Sequence, residues 1–374
     1  MKSNVFTNIL HLVAIAKSYL FIAMMVLLPS QAMAQELLYL SAGDAIHIKK
    51  IDPQSGLLDD VQSVKLKGVS SFTFSQNKQF LYAQARIDGN RKKPSIATFK
   101  VAGDGRLTLV DNALVSGKTT ELNTDHSDGY LAGASYGKGI ASVWKLEDSV
   151  YKGELVQEIA LEKKAHAVRF SPNNKVLYVP ATAPNKIFQL AFDETNGKVS
   201  MLESAIGPKH GAMQPRHLIF HPLLNIAYST QERIKPGVAV WTVDANTGNL
   251  EVIQALTNSE DTSGRITNAD LHMSADNKFL YISTRDKEAK LDRITVYKIN
   301  ANDGRLTLIN EHKSEYFPRS FTINKTDEFI YVAGQKGNTL GLYKRNKDTG
   351  ELTKVHQYQT GDNPIWVETL MLKK

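Results

Sequence analysis

The side chains best suited to chemistry in this chain are scattered histidines, arginines and carboxylates in short apolar contexts. His166 stands in Ala165-His166-Ala167-Val168-Arg169-Phe170, and Arg216 and His217 stand in Gln214-Pro215-Arg216-His217-Leu218-Ile219-Phe220. Asp270 and His272 open a similar stretch, and Arg319 follows Pro318. Arg86, Glu232, Arg285 and the pair Gln335-Lys336 each follow a short apolar run. Gathered at one opening, such groups suit a ligand that is anionic or carries a carbonyl. A guanidinium binds such oxygens through parallel N–H groups and keeps its charge.

Other chemistries are set aside by the same reading. The histidines are not paired at metal-ligand spacing and Asp270 has no second carboxylate beside it in sequence, so no metal and no other cofactor is expected. No Gly-rich phosphate loop, Gly-x-Ser-x-Gly elbow or Ser-His-Asp order is expected. The formal charge of +7 is spread along the chain without a run of five or more basic residues, which argues against a nucleic-acid partner.

The elements that must position these residues are repeats. Asp or Asn, a few polar residues, a Gly and an apolar residue recur, as in Asp52-Pro53-Gln54-Ser55-Gly56-Leu57 and Asp244-Ala245-Asn246-Thr247-Gly248-Asn249-Leu250. Seven such glycines, at 56, 105, 153, 197, 248, 304 and 350, follow one another at about 44 to 56 residues. Lys152-Gly153-Glu154-Leu155 is the weakest member. Each glycine is expected in a hairpin turn that needs positive φ. A second marker, as in Ser274-Ala275-Asp276-Asn277-Lys278-Phe279-Leu280-Tyr281, reads as another strand-turn-strand.

Four antiparallel strands, A to D, repeated seven times without helices predict an all-β fold, a seven-bladed β-propeller. Leu37-Leu38-Tyr39-Leu40 is a B-type strand with no A strand before it, and Ile365 to Leu370 is an A-type strand with no B after it. The two are expected to share one blade and close the ring. The irregular D-to-A and B-to-C connections then emerge on one face and carry all the candidate residues above, which is where function is expected. By strand alternation His217 and His272 point away from their neighbours and read as structural. His221 falls at an A-to-B turn on the opposite face and is given no catalytic role.

Residues 1–34 read as a signal peptide, with Lys2 and Lys17, an apolar run from Ser18 to Pro29 and the small-x-small site Ala32-Met33-Ala34. That run of about 12 residues is shorter than the roughly 20 a membrane span needs. Residues 35–374 are expected to form one propeller domain in a periplasmic or secreted protein without a membrane span. The sequence contains no cysteine, so stability must come from packing and strand pairing.

QPRHLIFHP, ADLHMSADNKFLYISTR, FPRSFTIN followed by AGQK, and AHAVRFSPNNKVLYVP resemble successive blade motifs of the 6-phosphogluconolactonase family. This propeller family also includes fungal carboxymuconate cycloisomerases. The resemblance runs from Leu37 to Trp366 and is weakest from Tyr130 to Gly153. It implies a lactonase that opens a sugar lactone such as glucono-δ-lactone or its 6-phosphate by metal-free acid-base chemistry. It also implies a catalytic group of His166, Arg216, Glu232 and Arg285, with Arg265 as the alternative second arginine. In that reading Glu232 is the base, His166 the proton donor, and the arginines hold the carbonyl oxygen or an acidic substituent. Arg319, Gln335, Asp270 and Arg86 are the expected substrate-binding residues. The alternatives are a non-catalytic binding or scaffold propeller and a carboxymuconate-type cycloisomerase.

Overall fold

Runs rich in β-branched and aromatic residues, separated by Asn, Asp and Gly, favour short strands joined by tight turns. The computed structural model describes residues 35–372, so the expected leader lies outside the described residues. It contains seven antiparallel sheets arranged as the blades of a propeller. In blade 1 strands B, C and D are Glu36–Ala42, Ala45–Ile51 and Leu58–Lys65, and strand A is Trp366–Met371. Blades 2 to 7 occupy residues 72–114, 121–160, 169–206, 215–257, 266–313 and 318–359.

The ring closes as the chain ends suggested, with Leu37 opposite Leu370 and Leu40 opposite Val367. Two details differ from the repeat pattern. Strand D of blade 4 is split into Val199–Met201 and Ala205–Ile206, both paired to the same C strand. In blade 3 the C-to-D turn is made by Asp148 and Ser149, both with positive φ, while Gly153 lies inside strand D at a register shift. Asp and Ser thus take the left-handed positions of a two-residue turn, and Gly153 serves a bulge instead.

Strands B and C are buried and strand D is largely exposed. Apolar residues of adjacent blades pack face to face, as where Ile46 and Ile48 of blade 1 meet Phe72, Leu81 and Phe99 of blade 2. A polar bond accompanies each such face. Tyr39, Tyr82, Tyr178, Tyr228, Tyr281 and Tyr331 donate their hydroxyls to carbonyls of Gly105, Ser149, Gly248, Gly304, Gly350 and Gly56, at 2.5 to 3.0 Å. Tyr130 does the same to Thr195 at 3.3 Å. Each bond runs from strand B of one blade to the C-to-D turn of the next, so together they form a closed circuit.

Gly105 shows why the turn residue is fixed twice. Its φ is +81, and a Cβ there would lie 2.0 Å from Leu37 and 2.9 Å from the Tyr39 hydroxyl. Gly103 in the same turn has open space. Gly105→Ala should therefore destabilise the protein by about 2–4 kcal/mol through backbone strain and overpacking. Gly103→Ala should cost less than about 0.5 kcal/mol. Denaturant unfolding of the pair measures the difference, and equal stabilities would contradict the packing described. Ending the chain at Pro364 removes strand A of blade 1 and bares a strand edge. Circular dichroism should then show no cooperative melt, and a native-like melt would mean that closure is dispensable.

Candidate active site

Two local irregularities of the backbone aim side chains into the mouth of the channel. The first is a left-handed residue in the D-to-A connection. Gly68, Lys164, Gln214, Phe317 and Asn363 have φ between +57 and +73. Each stands two positions ahead of a residue that lines one cavity: Ser70, His166, Arg216, Arg319 and Ile365. For Phe317 and the other non-glycine residues this conformation costs of order 1–3 kcal/mol and persists only where surrounding contacts enforce it.

The second irregularity is a bulge in strand A of blades 5, 6 and 7. The pairing register slips between Pro215 and Leu218, between Asn268 and Leu271, and between Pro318 and Ser320. Strict alternation would separate Arg216 from His217. At the bulge both side chains turn inward, and Arg216 Nη1 lies 3.0 Å from His217 Nε2.

The cavity has a volume of about 720 Å³ and brings together His166, Arg216, Glu232 and Arg285. All four are buried. Glu232 Oε1 accepts a hydrogen bond from Arg285 Nη2 at 3.0 Å and lies 3.9 Å from Arg216 Nε. Its Oε2 is 3.4 Å from Arg233 Nε. Arg285 also donates to the Asn268 carbonyl at 3.0 Å and stacks 5.2 Å from the Phe317 ring. Arg265, the alternative, turns to Asp286 and Glu288 and does not line the cavity.

Charge is distributed unevenly. Nine lysine and arginine side chains line the cavity against the single carboxylate of Glu232 among the described residues. Burial alone raises the Glu232 carboxyl, but Arg285, Arg216 and Arg233 outweigh it and hold the group below the usual carboxylate range. Burial, then Arg216 and further cations, keeps His166 well below the usual imidazole value, so it is neutral at pH 7. Arg319 is pushed down to about 10 by burial and by Arg285, and makes no ion pair among the described residues. Several polar atoms here are buried without a hydrogen-bond partner among the described residues: His166 Nδ1, Arg216 Nε, Arg285 Nε and Glu232 Oε2. Such a cluster of orphans marks a place where water or a ligand completes the bonding.

Three expected substrate-binding residues are elsewhere. Asp270 faces a second chamber of about 470 Å³, because its bulge turns it toward His217, whose Nδ1 is 2.9 Å from Asp270 Oδ1. Gln335 is outside the cavity and donates to Asn363 at 2.7 Å. Arg86 packs over Gly68 and does not line the cavity either. Of the four, only Arg319 is in place. His272 is beside Asp270 in the second chamber, and His221 accepts backbone N–H groups of Leu223 and Leu224 in its turn.

Tyr136, Thr267, Phe317 and Trp366 also line the cavity, and no motif or spacing in the chain singles them out. Tyr136 meets the His166 ring edge-on at 5.6 Å. Tyr136 is itself part of Gly133-Ala134-Ser135-Tyr136-Gly137, which matches the Gly-x-Ser-x-Gly string of serine hydrolases. Here the string ends strand B of blade 3 and enters a turn, where an elbow would enter a helix. Ser135 makes no hydrogen bond to a histidine among the described residues, so the string carries no nucleophile geometry.

Comparison with known proteins identifies the family of this fold. The family described as lactonase, 7-bladed beta-propeller, matches residues 37–369. The 6-phosphogluconolactonase of Pectobacterium carotovorum is 30% identical over 345 residues, 90% of this chain and 99% of that one. Its counterpart from Buchnera aphidicola is 28% identical over 343 residues, 90% of this chain and 100% of that one. Among solved structures, the Pseudomonas aeruginosa periplasmic gluconolactonase shares the fold with a TM-score of 0.81 at 19% identity, covering 91% of this chain and 100% of its own. Matched through all seven blades, the chain belongs to the lactonase family of seven-bladed β-propellers.

Proposed function

We propose that the cavity hydrolyses a sugar lactone, glucono-δ-lactone or its 6-phosphate, to the aldonic acid. The observation that carries this reading is a neutral, buried imidazole facing guanidiniums that one carboxylate only partly neutralises. Ester cleavage needs a proton acceptor for water and positive charge where the oxyanion develops. The relatives from Pectobacterium and Buchnera, both named 6-phosphogluconolactonase, support the same reaction class.

His166 takes the proton as water adds to the lactone carbonyl carbon, while Arg216 and Arg285 face the developing oxyanion. Collapse breaks the ring C–O bond, and the imidazolium returns its proton to the leaving ring oxygen. The contacts therefore favour His166 as the base in place of Glu232, the base expected from the sequence. The Glu232 carboxylate is committed to Arg285, whereas His166 Nδ1 is buried with no hydrogen-bond partner among the described residues. Glu232 instead keeps Arg216, Arg233 and Arg285 together against their mutual repulsion. Arg319 and the lysines at the rim offer charge to an anionic substituent.

His166→Asn should lower kcat about 10²–10⁴-fold with KM nearly unchanged, measured by pH-stat on glucono-δ-lactone and 6-phosphogluconolactone. Because the His166 value is lowered, the base is competent throughout the neutral range. Wild-type kcat/KM should stay level there and fall only as pH drops through that lowered value. Glu232→Gln should cost stability, about 3 kcal/mol from unbalanced buried arginines, and less rate than His166→Asn. A fully active His166→Asn enzyme would remove His166 from the chemistry.

We also infer export to the periplasm or beyond. Among the described residues no helix is long and apolar enough to cross a membrane, and the leader reading of residues 1–34 places cleavage after Ala34. Mass spectrometry of protein from its native host should find Gln35 at the N-terminus, and a chain still carrying Met1 would overturn the inference.

A further inference from the structure

We propose that His217 and Asp270 are positioning residues that fix the direction of the Arg216 guanidinium, and act on the lactone only through it. The proposal rests on the lactonase reading for its effect on rate, but its geometry stands independently.

Arg216 Nη1 is held by two acceptors, the Ala269 carbonyl at 2.6 Å and His217 Nε2 at 3.0 Å. A guanidinium can only donate, so His217 Nε2 must present its lone pair and the ring proton must be on Nδ1. That nitrogen is 2.9 Å from Asp270 Oδ1, which accepts the proton's hydrogen bond. Asp270 is itself fixed on both oxygens. Oδ1 accepts from the Leu271 N–H at 3.0 Å, and Oδ2 accepts from the Phe321 N–H at 3.3 Å with His272 Nε2 at 3.5 Å. The relay thus ties strand A of blades 5, 6 and 7 to one guanidinium.

Its consequence lies in what remains unused. With Nη1 occupied, the Nε–Nη2 edge of Arg216 remains: Nε is buried 3.9 Å from Glu232 Oε1 without a hydrogen bond, and Nη2 donates to no acceptor among the described residues. That edge is the one that can offer two parallel N–H groups to an oxyanion or carboxylate. His217 is down to about 4, through burial and Arg216 against the pull of Asp270, so the ring stays neutral as the relay requires. Protonated, it would face Arg216 with a second donor.

Two substitutions separate this role from packing. His217→Gln can place Oε1 near the lost Nε2 and still accept from Arg216, whereas His217→Leu fills similar space with no acceptor. His217→Leu should lower kcat on glucono-δ-lactone about 10²-fold, with KM changed by less than about threefold, since the oxyanion exists only in the transition state. His217→Gln should recover at least about tenfold of that loss. Equal rates for the two would mean that the ring only fills space and would overturn the proposal. Nitrogen-15 NMR of the wild-type ring at pH 7 should show the proton on Nδ1 alone, and a protonated Nε2 would equally overturn it. The NMR result holds even if wild type hydrolyses no lactone, in which case the lactonase reading fails and the relay does not.

Discussion

The hydrogen bond from a strand-B tyrosine to a carbonyl in the next blade's C-to-D turn is the contact on which the remaining geometry depends. Without a fixed angle between neighbouring blades, their A strands would not open at one mouth. Six of the seven tyrosines are fully buried, and a buried hydroxyl without a partner is costly, so each rotation of one blade against another that breaks the bond is penalised. Burial also raises the six buried phenols, Tyr281 to about 12 despite its bond with Arg345, so that they remain donors. The bond from Tyr331 to Gly56 crosses the closure of the ring and makes the circuit continuous.

On that rigid ring the cavity accumulates like charge. Arginines 216, 285 and 319 repel one another through a medium that screens poorly: burial lowers all three, neighbouring arginines add to it at Arg216 and Arg319, and Glu232 opposes it at Arg285. Glu232 offsets part of this repulsion and leaves the rest. An anionic or oxyanionic ligand completes the balance, so the strain among the cations becomes selectivity for the species that carries negative charge. The same field keeps His166 neutral and therefore able to accept a proton.

The scaffold is regular and the site is built from its exceptions. Left-handed residues two positions before the lining side chains, and bulges in three successive A strands, redirect residues that ideal strands would have sent elsewhere. These departures cost backbone energy and sit where chemistry is proposed, which is the usual distribution of strain in a folded enzyme.

The sequence by itself determined the blade count, the shared closing blade and the face that carries the site. Repeat spacing, turn residues and strand periodicity are local properties, and a propeller converts them directly into position. It also brought His166, Arg216, Glu232, Arg285 and Arg319 to the face where one cavity opens, because each lies beside a D-to-A or B-to-C connection, while leaving the choice between Arg285 and Arg265 open. It did not determine where Asp270 and His217 point. A bulge is one extra residue relative to a partner strand, so it exists only in the pairing and leaves no mark on a single strand's pattern. The tertiary structure likewise decided the charge states of Glu232 and His166, since those depend on burial and on arginines that other blades bring close. It also placed Gln335, Arg86 and Arg265 outside the cavity: side-chain direction at a loop follows from the contacts available there, and Asn363, Gly68 and the carboxylates of Asp286 and Glu288 supplied them.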